Sequence, residues 1–83
     1  MADIATDVER KVRETIVEQL GSDLQEVTLQ ARLDEDLGAD ELDEVELMMA
    51  LEDTFDITVP DEEAAKVKTV QDLVNLVNKY KKS

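Results

Sequence analysis

The sequence has no cysteine and no histidine. The first absence removes disulfides, thiolate nucleophiles and Cys metal sites, and the second removes the imidazole base or ligand. Tryptophan is missing too, and one Phe and one Tyr hold aromatics to 2% of the chain, so aliphatic side chains must pack any core. Positive charge is scarce: 9 Lys and Arg face 22 Asp and Glu, a formal net charge of -13. That balance argues against nucleic acid or an anionic membrane as partner, because phosphate binding needs cations to displace counterions. Basic protein surfaces are the natural complement. No apolar run approaches the ~20 residues of a membrane span. The stretch Met1 to Arg10 lacks a charged start followed by an apolar segment. The expectation is a soluble, cytoplasmic, monomeric protein.

What is present points to a helical domain. The 83 residues suit one domain spanning 1–83, and a chain of this length buries roughly 60 to 65% of the surface its unfolded form exposes. Hydrophobic residues at 42% are too many for a disordered tail. Over residues 3 to 20, Ile4, Val8, Val12, Ile16 and Leu20 recur at steps of four, with Ala5 and Val17 alongside, which reads as an amphipathic helix with one buried stripe. Gly21 supplies a left-handed stop. From Ser22 to Ala39 the period fails, yet Leu24, Val27, Leu29, Leu33 and Leu37 keep recurring, so a long connection pinned to the core is expected, with a single helical turn within Asp23 to Val27.

Gly38 then leads to a second helix over about 40 to 55, with Asp40 as cap and Asp43 three residues on as the capping-box partner. Glu41, Asp43 and Glu44 fall in its first turn, where the macrodipole favours negative charge. This helix carries too many apolar residues for one stripe. At about 100° per residue, Leu47, Leu51 and Phe55 share one side with Met48 beside them, while Leu42, Val45 and Met49 lie nearly opposite. We assign the stripe with the chain's only Phe to the core. The other is then an apolar ridge bordered by Glu41, Glu46, Glu52 and Asp53, which reads as a docking surface.

Ile57 to Pro60 alternates and is halted by Pro, an extended link with Ile57 and Val59 turned inward. Asp61 to Lys66 reads as a short helix. The last helix starts at the cap Thr69 with Asp72 as partner, buries Val70, Leu73, Val74, Leu76, Val77 and Tyr80, and ends in Lys79, Lys81 and Lys82, which complement the macrodipole. The fold class is therefore all-α: a small four-helix bundle with a long first loop and a short third helix.

No catalytic constellation can be assembled. Asp40 and Asp43 lack the enclosure that separates two carboxylate pKa values, and Ser22 and Ser83 have no His partner. A calcium loop counted from Asp34 fails, with Ala39 where Gly is required and Val45 where a bidentate Glu is required. No defined metal site is expected. Between Arg32 and Lys66 no basic residue occurs. This acidic stretch would draw cationic partners in, and the apolar ridge would hold them.

The run Asp36-Leu37-Gly38-Ala39-Asp40-Glu41-Leu42-Asp43-Glu44-Val45-Glu46-Leu47 resembles the signature of acyl carrier proteins, and the likeness extends through Phe55-Asp56-Ile57 and Val59-Pro60-Asp61-Glu62-Glu63-Ala64 into the last helix. The resemblance implies a four-helix bundle, and docking through the second helix to basic patches on acyl-processing enzymes such as a ketosynthase, an acyltransferase or a pantetheinyl transferase. By position, Asp40, Leu42, Asp43, Val45, Glu46, Met49, Glu52 and Asp53 would inherit that role. It also implies an interior able to take an acyl chain, lined here by residues such as Leu47, Leu51, Phe55 and Val67. In Ser-bearing members the Ser of an Asp-Ser-Leu triplet carries 4'-phosphopantetheine. Here the triplet is Asp40-Glu41-Leu42. A carboxylate does not replace that hydroxyl, so no prosthetic group is expected on Glu41. An engineered Ser-to-Glu change and a paralogue that kept docking but lost cargo both produce this sequence, and an acidic interaction module without cargo is the alternative function.

Overall fold

The computed structural model describes the backbone of residues 4–81 and the side chains of residues 7–81. The expectations placed on the side chains of Ile4 and Ala5 and on Lys82 lie outside the described residues. Four α-helices follow one another: α1 Ile4–Leu20, α2 Glu41–Phe55, α3 Asp61–Ala64 and α4 Val70–Tyr80, with a 3-10 turn at Leu24–Glu26. The all-helical class, the long first loop and the short third helix match the sequence reading.

α1 is the centre of the bundle and packs against both α2 and α4. Its stripe of Val8, Val12 and Ile16 is sealed inside with Leu47 and Leu51 of α2 and Val70, Leu73, Val74 and Val77 of α4. Those aliphatic residues bury with few polar groups among them. Thr15 is the buried exception, and its hydroxyl donates to the Lys11 carbonyl at 2.8 Å, so no polar atom is stranded. Phe55, assigned to the core, is only half-buried at its edge, and Tyr80, on the apolar side of the last helix, is half-buried with its hydroxyl turned to Glu63.

The helix ends follow local chemistry. Gly21 terminates α1 at φ +70°, with its N–H donating to the Val17 carbonyl at 2.8 Å. At α2 the Asp40 side chain accepts from the Asp43 N–H at 2.8 Å and the Asp43 side chain accepts from the Asp40 N–H at 3.1 Å. Thr69 and Asp72 repeat that reciprocal pair at α4. The C-terminal stop of α2 went unread in the sequence: Asp56 adopts the left-handed conformation at φ 56°, which Asp tolerates better than most residues.

The long connection is tied down by its backbone. Leu33 N–H donates to the Lys68 carbonyl at 2.9 Å, Val70 N–H to Ala31 at 3.1 Å, and Gln71 N–H to Leu29 at 2.9 Å. These bonds hold the loop against the start of α4, while Val27, Ala31 and Leu33 drop into the core and Leu29 and Leu37 pack partly against it. Leu24 corrects the expectation that every recurring Leu is an anchor, because it is 44% exposed. The 3-10 turn is held through its backbone instead: Arg13 of α1 donates to the Val27 carbonyl at 2.7 Å and to the Leu24 carbonyl at 3.0 Å.

Candidate functional site

The site is built on α2, because among the described residues α2 leaves three large apolar side chains uncovered. Leu47 and Leu51 are fully buried, whereas Leu42 is 64% exposed, Val45 56% and Met49 59%. The three lie at helical spacing on one face, so they form a continuous ridge rather than scattered exposure. Asp40, Glu41, Glu46 and Asp53 are exposed around it.

Three of the carboxylates grouped on this rim are already engaged, Asp40 by accepting the Asp43 N–H in the capping box. Asp43 is half-buried and accepts the Asp40 N–H in the capping box. Glu52 is half-buried and turned toward the following loop, where its Oε2 accepts from the Val59 N–H at 2.8 Å. Glu52 therefore fixes the approach to α3 as well as adding charge to the face.

Behind the ridge, α2 and α3 enclose a cleft of about 630 Å³. Leu33, Leu47, Met48, Val59, Val67 and Leu73 line its depth, Ala64 and Ala65 form the α3 wall, and Leu42, Val45 and Met49 reach its outer lip. The resemblance put Leu47, Leu51, Phe55 and Val67 around an acyl chain, and only Leu47 and Val67 line this cleft. Leu51 points instead into the core shared with α1 and α4, and Phe55 sits at that core's edge. The period of α2 identifies which residues are inside, but not which part of the interior remains open.

Carboxylates guard the entrance. Glu41, Glu44, Glu52 and Asp61 all border the cleft, and no Lys or Arg does. Partial burial, then the negative charge of Asp34, raises the Glu44 pKa above the ordinary carboxylate value; Lys68 pulls it back, and Glu41 and Asp40 add smaller upward pushes. Glu44 reads in the sequence as one first-turn acid among three; what sets it apart is its partial burial and the approach of Asp34 from the preceding loop. Among the described residues, no group of three or more carboxylates is arranged to hold a metal ion.

Glu41 occupies the first helical position of α2, exposed and beside the cleft mouth. An anion is tolerated there by the helix start. A carboxylate presents no hydroxyl to be esterified at this position.

Residues 10–77 match the phosphopantetheine attachment site family. The chain is 56% identical over 72 residues to an acyl carrier protein of Akkermansia muciniphila, covering 87% of this chain and 90% of that protein. Its fold superposes with a TM-score of 0.82 on a candidate acyl carrier protein from Mycobacterium tuberculosis, at 35% identity, covering 87% of this chain and 96% of the other. The apo doublet acyl carrier protein of prodigiosin biosynthesis shares the fold with a TM-score of 0.81 at 20% identity, covering 94% of this chain and 38% of that one.

Proposed function

Since the chain belongs to the acyl carrier protein family, whose members are carriers rather than enzymes and bear 4'-phosphopantetheine, we propose that it is a carrier domain of fatty acid or related acyl biosynthesis that cannot be loaded. The observation that carries this reading is Glu41 at the first position of α2, on a helix whose capping box and exposed ridge are both intact. The docking apparatus is retained without the attachment oxygen.

Acyl carrier proteins interact with acyl-processing enzymes. For this chain the proposed docking set is Asp40, Leu42, Asp43, Val45, Glu46, Met49, Glu52 and Asp53. Basic patches of a ketosynthase, an acyltransferase or a pantetheinyl transferase are its partners. Long-range attraction by carboxylates speeds encounter, and desolvation of the ridge lengthens residence. The chain acts as one domain over residues 1–83, as a monomer in the cytoplasm. No described helix is long and apolar enough to cross a membrane. The missing hydroxyl also favours a second reading, an acidic module that docks partners and never takes cargo.

Incubation with a pantetheinyl transferase and coenzyme A, followed by intact-mass measurement, tests the claim. No added mass is expected on this chain, and Glu41→Ser is expected to gain one pantetheinyl group. A gain on the chain with Glu41 in place overturns the reading. Capture by a ketosynthase separates the two functions, since a module unrelated to acyl synthesis would not bind it.

A further inference from the structure

Of the three side chains that make the α2 ridge, one alone can change its chemistry. Leu42 and Val45 are inert hydrocarbon, whereas Met49 ends in a polarisable thioether that can accept an oxygen atom. With no cysteine anywhere in the sequence, methionine sulfur is the softest target the chain offers to a two-electron oxidant. That chemistry sits on the surface proposed for docking.

α2 carries two methionines side by side and places them in different surroundings, because about 100° of helical turn separates neighbours. Met48 is half-buried and packs against the core, while Met49 is 59% exposed. Met1, the remaining methionine, lies outside the described residues. Glu46 and Asp53 are exposed one turn before and one turn after Met49. Their charge turns anionic oxidants away but leaves a neutral peroxide free to reach the sulfur. Exposure and charge thus both select Met49 and an uncharged oxidant.

We propose that Met49 is a reversible oxidation site that switches the ridge from binding to non-binding. Its Sδ lone pair attacks one oxygen of hydrogen peroxide, forming an S–O bond as the O–O bond breaks. The departing hydroxide takes the proton from the transferred oxygen, so sulfoxide and water are formed, with sulfur oxidised by two electrons and peroxide reduced by two. The sulfoxide puts a strong hydrogen-bond acceptor on the ridge, and an apolar partner surface closing over it would leave that oxygen without water or a donor. A dithiol sulfoxide reductase reverses the step: the oxygen leaves as water while the two thiols join in a disulfide. Met49 lies outside the core cluster, so the switch does not disturb the fold. The effect on binding rests on the docking reading of this face, and the selectivity for Met49 does not.

Brief treatment of the full chain with dilute hydrogen peroxide, with the added oxygen assigned to Met48 or Met49 by fragment masses, tests the site. Met49 is expected to react first, and reaction at Met48 first overturns the assignment. Ketosynthase capture and retention on a phenyl resin are then compared before and after treatment. Oxidation should weaken capture about tenfold, the scale of one unpaired buried polar atom, and shorten retention at an unchanged thermal midpoint. Sulfoxide reductase should restore both. Met48→Leu should respond to peroxide as the parent chain does, whereas Met49→Leu should show no change from its own untreated value. Undiminished capture by protein oxidised at Met49, or a loss that persists in Met49→Leu, overturns the switch. If the untreated chain is not captured at all, the docking reading fails and the resin decides: shortened retention upholds an oxidisable apolar ridge, and unchanged retention overturns it.

Discussion

α2 and α4 begin alike and end up serving different purposes. Each opens on a reciprocal capping box closed by an Asp at the third position. α4 then buries Val70, Leu73, Val74, Leu76 and Val77, so almost all its apolar surface goes into the fold. α2 buries only Leu47 and Leu51 and leaves Leu42, Val45 and Met49 in solvent. The difference is one of angle. α4 arranges its apolar residues in one stripe, and α2 splits them between two nearly opposite faces, of which one small bundle can cover only one. Apolar surface that folding does not cover remains available for a partner.

The largest effect should come from crossing between the two faces of α2. Leu47→Ala opens a hole in the shared core and is expected to lower stability by about 2 to 5 kcal/mol, whereas Val45→Ala should stay within about 0.5 kcal/mol, both read by denaturant unfolding. Similar losses at the two positions would mean that the ridge is part of the core.

The caps sharpen the comparison at a smaller scale. Asp40→Ala and Thr69→Ala should each reduce stability by about 1 kcal/mol, since each removes the acceptor for an N–H in the first turn. Only Asp40→Ala should also weaken capture by a basic partner, because Thr69 lies away from the ridge.

These caps were readable because everything they need lies within four residues. The same holds for the glycine stop of α1 and for the division of α2 into two stripes, where spacing and the position of Phe55 identified Leu47 and Leu51 as buried. Contacts set by closure of the chain were not readable. Arg13 reaches carbonyls 11 and 14 residues away, Glu52 bonds Val59, and Glu63 meets α4. No local pattern distinguishes these side chains from other solvated charges. Leu24 shares the composition of the anchors around it and is 44% exposed all the same, because which side chains of an irregular connection reach the core depends on how the chain closes and not on a local period.

A subtler separation concerns two glutamates that titrate in opposite senses. The Tyr80 hydroxyl, then Lys79, lowers the Glu63 pKa below its ordinary 4.5, so the Glu63 contacts contribute stability above 4.5 that is lost as pH falls through the depressed folded value. Glu44 is raised by burial and neighbouring carboxylates, so its contribution is favourable below 4.5 and is lost as pH rises through the elevated folded value. In thermal unfolding followed across the acid range, Glu63→Gln should flatten the loss at low pH, and Glu44→Gln should raise the midpoint near neutrality. Lys79 and Tyr80 are both raised by Glu63, so these contacts contribute stability below 10.0 that is lost as pH rises through the elevated folded values. Smallest of all should be the response to salt. With a net charge of -13, added ionic strength should raise the thermal midpoint modestly by screening self-repulsion.

The central claim is that the Leu42, Val45 and Met49 face is outward and serves binding rather than folding. Its most direct test is to measure thermal unfolding and ketosynthase capture together for Met49→Lys. The account predicts an unchanged midpoint with capture lost. A collapsed midpoint, or full capture by a normally folded variant, would contradict it.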